Sequence, residues 1–174
     1  MRVIPFCLAI LVVNGVCNHV SAQGSSLDQA SASDKGALPD QAPAQGYKFA
    51  VGIRFSSASP TLSNSISIKY FLDETNAIEG LVSYGNRFGL GALYERHQLI
   101  GGIPAFTWFY GAGGYVGFED GKTWLGPTGV VGLDYKFPNA PVNLSLDWKP
   151  ELDLSPAINF VPDAFGITAR FAFK

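Results

Sequence analysis

From residue 47 to residue 173, apolar and polar positions alternate with a period of two, interrupted at intervals by Gly, Pro, Asn and Asp. Successive side chains of an extended strand point to opposite faces, so this period predicts strands with two unlike faces. The last stretch shows it most cleanly: Phe165, Ile167, Ala169, Phe171 and Phe173 share one face, and Gly166, Thr168, Arg170 and Ala172 the other. No segment of this region carries a 3.6-residue apolar period, which predicts an all-β chain.

Eight strands are predicted, over residues 47–55, 63–72, 76–84, 88–97, 105–119, 123–137, 142–154 and 163–173. The first sets Tyr47, Phe49, Val51, Ile53 and Phe55 against Lys48, Ala50, Gly52 and Arg54. The second sets Ile66, Ile68, Tyr70 and Leu72 against Ser65, Ser67 and Lys69, and the third Ile78, Val82 and Tyr84 against Glu79 and Ser83. The fourth sets Phe88, Leu90, Ala92 and Tyr94 against Gly89, Gly91 and Glu95. The seventh sets Val142, Leu144, Leu146 and Trp148 against Asn143, Ser145, Asp147 and Lys149. The fifth and sixth are rich in glycine and noisier; Pro127, which has no N–H for a ladder, predicts a bulge or an unpaired position in the sixth. Most reach the ~9–11 residues that a tilted membrane strand needs.

Alternation alone does not say which face is outside. A soluble lipocalin-like barrel around an apolar ligand, with its apolar face inward, is the alternative. Three features predict the inverse arrangement, an eight-stranded antiparallel up-and-down transmembrane β-barrel. Aromatics of the apolar face (Tyr47, Phe55, Tyr84, Phe88, Trp148, Phe165, Phe173) gather near strand ends, as in the girdles of membrane barrels. The polar face is rich in Gly, Ala and Ser, which suits a narrow interior. Its few charges are of both signs: Lys48, Arg54, Lys69, Glu79, Glu95, Asp134, Lys136, Asp147, Lys149 and Arg170. These predict a network of ion pairs filling the lumen or leaving at most a narrow pore, in a non-enzymatic barrel with a structural or interaction role.

The connections at 73–75, 101–102 and 138–141 lie at one end of such a barrel, with both termini; those at 56–62, 85–87, 120–122 and 155–162 lie at the other. A three-residue turn at 73–75 pairs Tyr70 with Ile78, which puts Lys69 directly opposite Glu79 and predicts an ion pair between them. Asp120-Gly121 reads as a two-residue hairpin turn.

The start of the chain reads as a secretory signal peptide over residues 1–22: Arg2, an apolar stretch over 4–13 that is too short to span a bilayer as a helix, and Val20-Ser21-Ala22 before a mature start at Gln23. Cys7 and Cys17 both fall inside it, so the mature chain is expected to have no disulfide and no thiolate. Val16 before Cys17 is not the small residue that a lipoprotein signal carries there. Residues 23–46 are rich in Ser, Ala, Gln, Asp, Gly and Pro, which predicts a disordered leader, with the barrel domain over 47–174.

Charged residues make up only 15% of the chain, against roughly 25% in soluble domains, with 47% hydrophobic and 13% aromatic. The net charge of −2 and the lack of any basic run predict no nucleic-acid partner.

The glycine run from Tyr110 to Tyr115, the strand from Gly132 to Phe137 with its Pro/Asn turn, and the terminal Phe171-Ala172-Phe173 resemble the OmpA-like outer-membrane β-barrel superfamily. The resemblance covers residues 47–174 and is one of pattern. In this chain Lys174 follows the terminal aromatic, and the resemblance brings with it no peptidoglycan-binding domain. It implies a single-domain monomer of the bacterial outer membrane. Its implied partners are outer-membrane lipid, lipopolysaccharide and the barrel-assembly machinery.

Some barrels of this size modify lipid A with a His, Ser and Glu group on the outer face near the outer rim. His97 is placed at the other end, and no serine stands between it and Glu95. A lone histidine does not make a metal site. The glycines at 111–114 follow no strand-to-helix transition and make no phosphate loop. The sequence therefore predicts no catalytic residues, no metal and no cofactor.

Overall fold

A computed structural model describes residues 46–57, 61–85, 87–101, 103 and 105–173. The expected signal peptide, all of the expected leader but Gly46, and Lys174 lie outside the described residues. Ten strands are present among them: β1 (Phe49–Ser56), β2 (Ser65–Phe71), β3 (Asn76–Ser83), β4 (Phe88–Leu99), β5 (Phe106–Glu119), β6 (Lys122–Lys136), β7 (Val142–Trp148), β8 (Glu151–Asp153), β9 (Asn159–Val161) and β10 (Phe165–Phe173).

Eight of these close into an antiparallel barrel. Sequential neighbours pair from β1 to β7, β7 pairs with β10, and β10 returns to β1 over a ladder from Phe49↔Phe173 to Ser56↔Gly166. Closure leaves none of the eight with a free edge. β8 and β9 form a small hairpin that continues the wall beyond β7, bridged to β6 at Thr128↔Glu151.

Turn chemistry fixes the register. Asp120 and Gly121 both adopt positive φ (49° and 73°), the requirement of a tight two-residue hairpin, and join the long pair β5–β6. At the β2–β3 turn, Asp73 accepts hydrogen bonds from the Thr75 and Asn76 backbone N–H groups (2.8 Å each) and from the Asn76 side chain (2.7 Å). The ladder that follows sets Tyr70 opposite Ile78 and Lys69 opposite Glu79, the register predicted from sequence.

Two expectations are corrected and a third is narrowed. The strand expected over 142–154 breaks between Trp148 and Glu151, because Pro150 has no N–H for a ladder, and its second part becomes β8. Of the two alternatives for Pro127, the bulge is absent, since β5 and β6 pair without interruption from Phe106↔Tyr135 to Glu119↔Lys122, and the unpaired position holds on the other edge of β6, which is bridged at Leu125 and Thr128 but not at Pro127. Tyr47 does not share a face with Phe49. The chain is not yet a strand at residues 46–48, so the alternation slips there; Tyr47 is buried and Lys48 is exposed.

The barrel has the polarity of an inverted globular protein. Arg54, Lys69, Glu79, Glu95, Asp134, Asp147, Lys149 and Arg170 are all buried. Ile53, Phe55, Ile66, Ile68, Tyr70, Ile78, Leu90, Leu146, Ile167 and Phe171 are all exposed on the outer wall. β5 and β6 follow the same rule: Thr107, Phe109, Tyr115, Thr128 and Val130 face inward, while Trp108, Tyr110, Phe118, Val131 and Leu133 face outward.

Candidate functional site: a charged network across the barrel interior

Alternation delivers one inward residue from every second position of each strand, and the narrow bore brings side chains from opposite walls within reach. Four cations (Arg54, Lys69, Lys149, Arg170) meet four carboxylates (Glu79, Glu95, Asp134, Asp147) in two series of ion pairs, Arg54–Asp147–Lys149–Glu79–Arg170 and Glu95–Lys69–Asp134, with Asn143 hydrogen-bonded to both Arg170 and Asp134 between them. Arg54 from β1 contacts Asp147 from β7 at 2.7 Å. Lys149, just past β7, lies 3.3 Å from Asp147 and 2.8 Å from Glu79 on β3. Arg170 from β10 pairs with the same Glu79 and donates to Ser67 (2.7 Å), Ser145 (2.8 Å) and Asn143 (3.2 Å). Lys69 from β2 reaches Glu95 on β4 at 2.8 Å and Asp134 on β6 at 3.4 Å, with its ammonium 4.4 Å from the Phe109 ring centre.

Lys69 and Glu79 are neighbours in the ladder, but each takes its counter-charge from another strand. The predicted direct pair is not among the contacts made. Glu79 is engaged by a guanidinium, a cation with several donors in a fixed fork, and by a second cation; Lys69 is left to the carboxylates of β4 and β6. Lys136, the last residue of β6, stands apart from the network. At the barrel end its ammonium donates to the carbonyls of Phe137 and Ala140, 2.7 Å each, and closes the β6–β7 turn.

Apolar layers bound the charges. Toward the termini, Tyr47, Ala50, Phe71, Ala77 and Ala172 make a floor, with Tyr47 edge-on to Phe71 at 5.3 Å. His97 lies between Phe71 (4.9 Å) and Phe109 (4.8 Å, stacked), with Nε2 3.2 Å from Glu95 and Nδ1 3.4 Å from Thr107. On the other side Leu62, Leu81, Leu93, Phe109, Tyr115 and Val130 form a second layer.

At that layer the end of the β1–β2 connection, Thr61 and Leu62, enters the bore. Thr61 and Leu62 are fully buried, and their N–H groups donate to the Glu151 carboxylate at 3.1 and 2.8 Å. Arg54 reaches up to the Leu62 carbonyl at 2.7 Å. Room comes from inward glycines: a Cβ at Gly91 would stand 2.7 Å from the Leu62 side chain. Arg87 seals this end, 3.1 Å from Glu119, 2.7 Å from Thr61 and 3.8 Å from Asp153, with its guanidinium carbon 3.9 Å from the Trp124 ring centre. Tyr115 donates to Asp153 at 2.8 Å.

Sequence reasoning did not reach Arg87, Glu151 or Asp153, because their partners come from connections whose path alternation does not encode. Pro150 was the available signal for Glu151 and Asp153, since it restarts the strand after Lys149. Among the described residues, no group of three or more His, Cys, Asp and Glu side chains is placed to hold a metal ion. What the arrangement does chemically is hold opposite charges together and fill the bore. Comparison with protein-family models, curated proteins and solved structures gave no match.

Proposed function

We propose that this chain is an integral β-barrel protein of the bacterial outer membrane, non-enzymatic, with a structural or interaction role and a lumen filled by side chains. One observation carries the reading: charged groups are buried inside the wall while Ile, Leu, Phe and Tyr cover its outside. In water this would leave apolar surface exposed at about 25 cal/mol per Å², over far more than the few hundred Å² that soluble monomers usually show as one patch. In a bilayer the same surface meets hydrocarbon, and closure satisfies the backbone without water. The aromatics Tyr84, Phe88, Phe55 and Phe165 toward one end, and Phe173 and Phe106 toward the other, suit the two interfaces.

The non-enzymatic reading follows from how the charges are spent. Each lumen carboxylate faces a cation or a hydrogen-bond donor, and His97 is held between two aromatic rings, away from any open surface. Lipid, lipopolysaccharide and, during assembly, the barrel-insertion machinery are the partners that this reading supplies. A closed wall with no unpaired strand among its eight suits a monomer.

Extraction and gel mobility test this against the soluble apolar-ligand barrel. The membrane reading expects release only with detergent, and a band that shifts on boiling. Recovery of the monomer in detergent-free buffer would sink it.

A further inference from the structure

The outer wall is not equally tall all round. On β1 and β2 it ends within a few residues of Phe55 and Ile66, but above β6 and β7 the β8–β9 hairpin carries it further. Glu151 and Asp153 of β8 are buried toward the bore, so Leu152 and Leu154 face out. Phe160 stands directly opposite Leu152 in the β8–β9 ladder and therefore shares its outward face, as does Ile158 two residues before it. Ile158 is 80% exposed, the most of any large apolar residue described, with Phe160 at 57% and Leu154 at 51%. The Leu154 N–H donates to the carbonyl of Leu125, itself an exposed wall residue of β6, so hairpin and wall form one surface.

The sequence of this hairpin points the same way. Residues 154–162, Leu-Ser-Pro-Ala-Ile-Asn-Phe-Val-Pro, contain no charge. The neighbouring β5–β6 tip, by contrast, is Glu119-Asp120-Gly121-Lys122, a water-facing composition. A connection that stands in water has no reason to present Leu154, Ile158 and Phe160 together on one side.

We propose that the outer face of the β8–β9 hairpin, formed by Leu152, Leu154, Ile158 and Phe160, is a lipid-docking surface that lies in the acyl-chain and interfacial layer of the bilayer. The partner is lipid hydrocarbon, because the face continues the apolar wall without a polar break and has no charge to pair with a polar partner. The barrel then sits with its β6–β8–β9 side as its taller lipid contact. This rests on the membrane reading above, and the test separates the two.

Nitroxide labels would be placed at Phe160→Cys and, as a second hairpin site, Leu154→Cys, in the full chain carrying Cys7→Ser and Cys17→Ser. Ile68→Cys marks the middle of the wall and Glu74→Cys a half-exposed turn position beyond it. The proteins are reconstituted in phosphatidylcholine/phosphatidylglycerol vesicles, and each label's collisions with dissolved oxygen and with a water-soluble nickel chelate are measured. The expected result is that positions 160 and 154 resemble position 68, open to oxygen and shielded several-fold from nickel relative to position 74. Nickel access at 160 and 154 equal to that at 74, with 68 still shielded, overturns the hairpin proposal alone. Shielding of 160 and 154 from both reagents means a protein covers the face, a second copy included, and also overturns it. Nickel access at 68 as well overturns the membrane reading itself.

Discussion

Lys69 and Glu79 stand directly opposite each other in the β2–β3 ladder, yet Lys69 pairs with Glu95 and Asp134, and Glu79 with Arg170 and Lys149. Opposed positions in a ladder bring Cβ atoms to about 4.5–5.5 Å, but long side chains in a narrow bore have the far wall within reach as well. The result ties β2 to β4 and β6, and β3 to β10 and to Lys149 just past β7, through charge rather than holding one hairpin.

Glu79 is therefore the carboxylate whose loss matters most. Glu79→Gln leaves Arg170 without a carboxylate and Lys149 with only Asp147, which it shares with Arg54, and we expect a loss of about 3–5 kcal/mol in urea unfolding. Adding Lys149→Met to Glu79→Gln restores part of that stability. Unchanged stability of the single variant would show that the network is not what holds the interior.

Asp73 gives a pH signature outside the wall. Hydrogen bonds from the Asn76 side chain, then from the Thr75 and Asn76 N–H groups, lower its pKa from its ordinary value to about 2. A depressed acid contributes stability that is complete above its unfolded pKa, near 4, and lost as pH falls through the folded value. The β2–β3 turn should thus loosen between about pH 4 and pH 2. A carboxyl chemical-shift titration of Asp73 with a midpoint near 4 would contradict this.

Glu151 holds the inward-folded β1–β2 connection through two N–H groups. Hydrogen bonds to a charged group contribute about 1.5–3 kcal/mol, so Glu151→Ala should speed amide exchange at Thr61 and Leu62 by about 10- to 100-fold. Ladder amides of β2 and β3 serve as the unaffected reference. Equal protection in both proteins would mean that the connection is held by packing and by its contacts with Arg54 and Arg87 instead.

Two glycines of the β5–β6 pair separate close approach from composition. A Cβ at Gly113 would lie 2.0 Å from the Ala92 carbonyl oxygen, whereas at Gly129 the nearest atom is 3.9 Å away. Gly113→Ala should cost about 1–3 kcal/mol by overpacking, and Gly129→Ala almost nothing. Similar unfolding midpoints for the two would refute the close β4–β5 approach.

The polarity of the barrel was legible because a period of two is local. Ile66, Ile68 and Tyr70 against Ser65, Ser67 and Lys69 place themselves once the strand is recognised, and a three-residue turn was enough to set Lys69 against Glu79. What lies across the bore was not legible. Nothing near Glu79 in sequence says that Arg170 comes to meet it, because that contact depends on closure between β1 and β10. Tyr47 was placed on the wrong face because alternation was extended one turn too far, into a segment that is not yet a strand. β8 was hidden in a strand that looked continuous, although Pro150 marked its break, and β9 lies in the stretch expected as the 155–162 connection.

The central claim is that the apolar wall meets lipid. Density-gradient flotation of the refolded protein with phospholipid vesicles, washed with concentrated urea at alkaline pH before loading, tests it most directly. The account predicts that the protein floats with the vesicles after the wash and stays folded, with boiling-dependent gel mobility. Protein left at the bottom of the gradient as a folded, detergent-free monomer would contradict it.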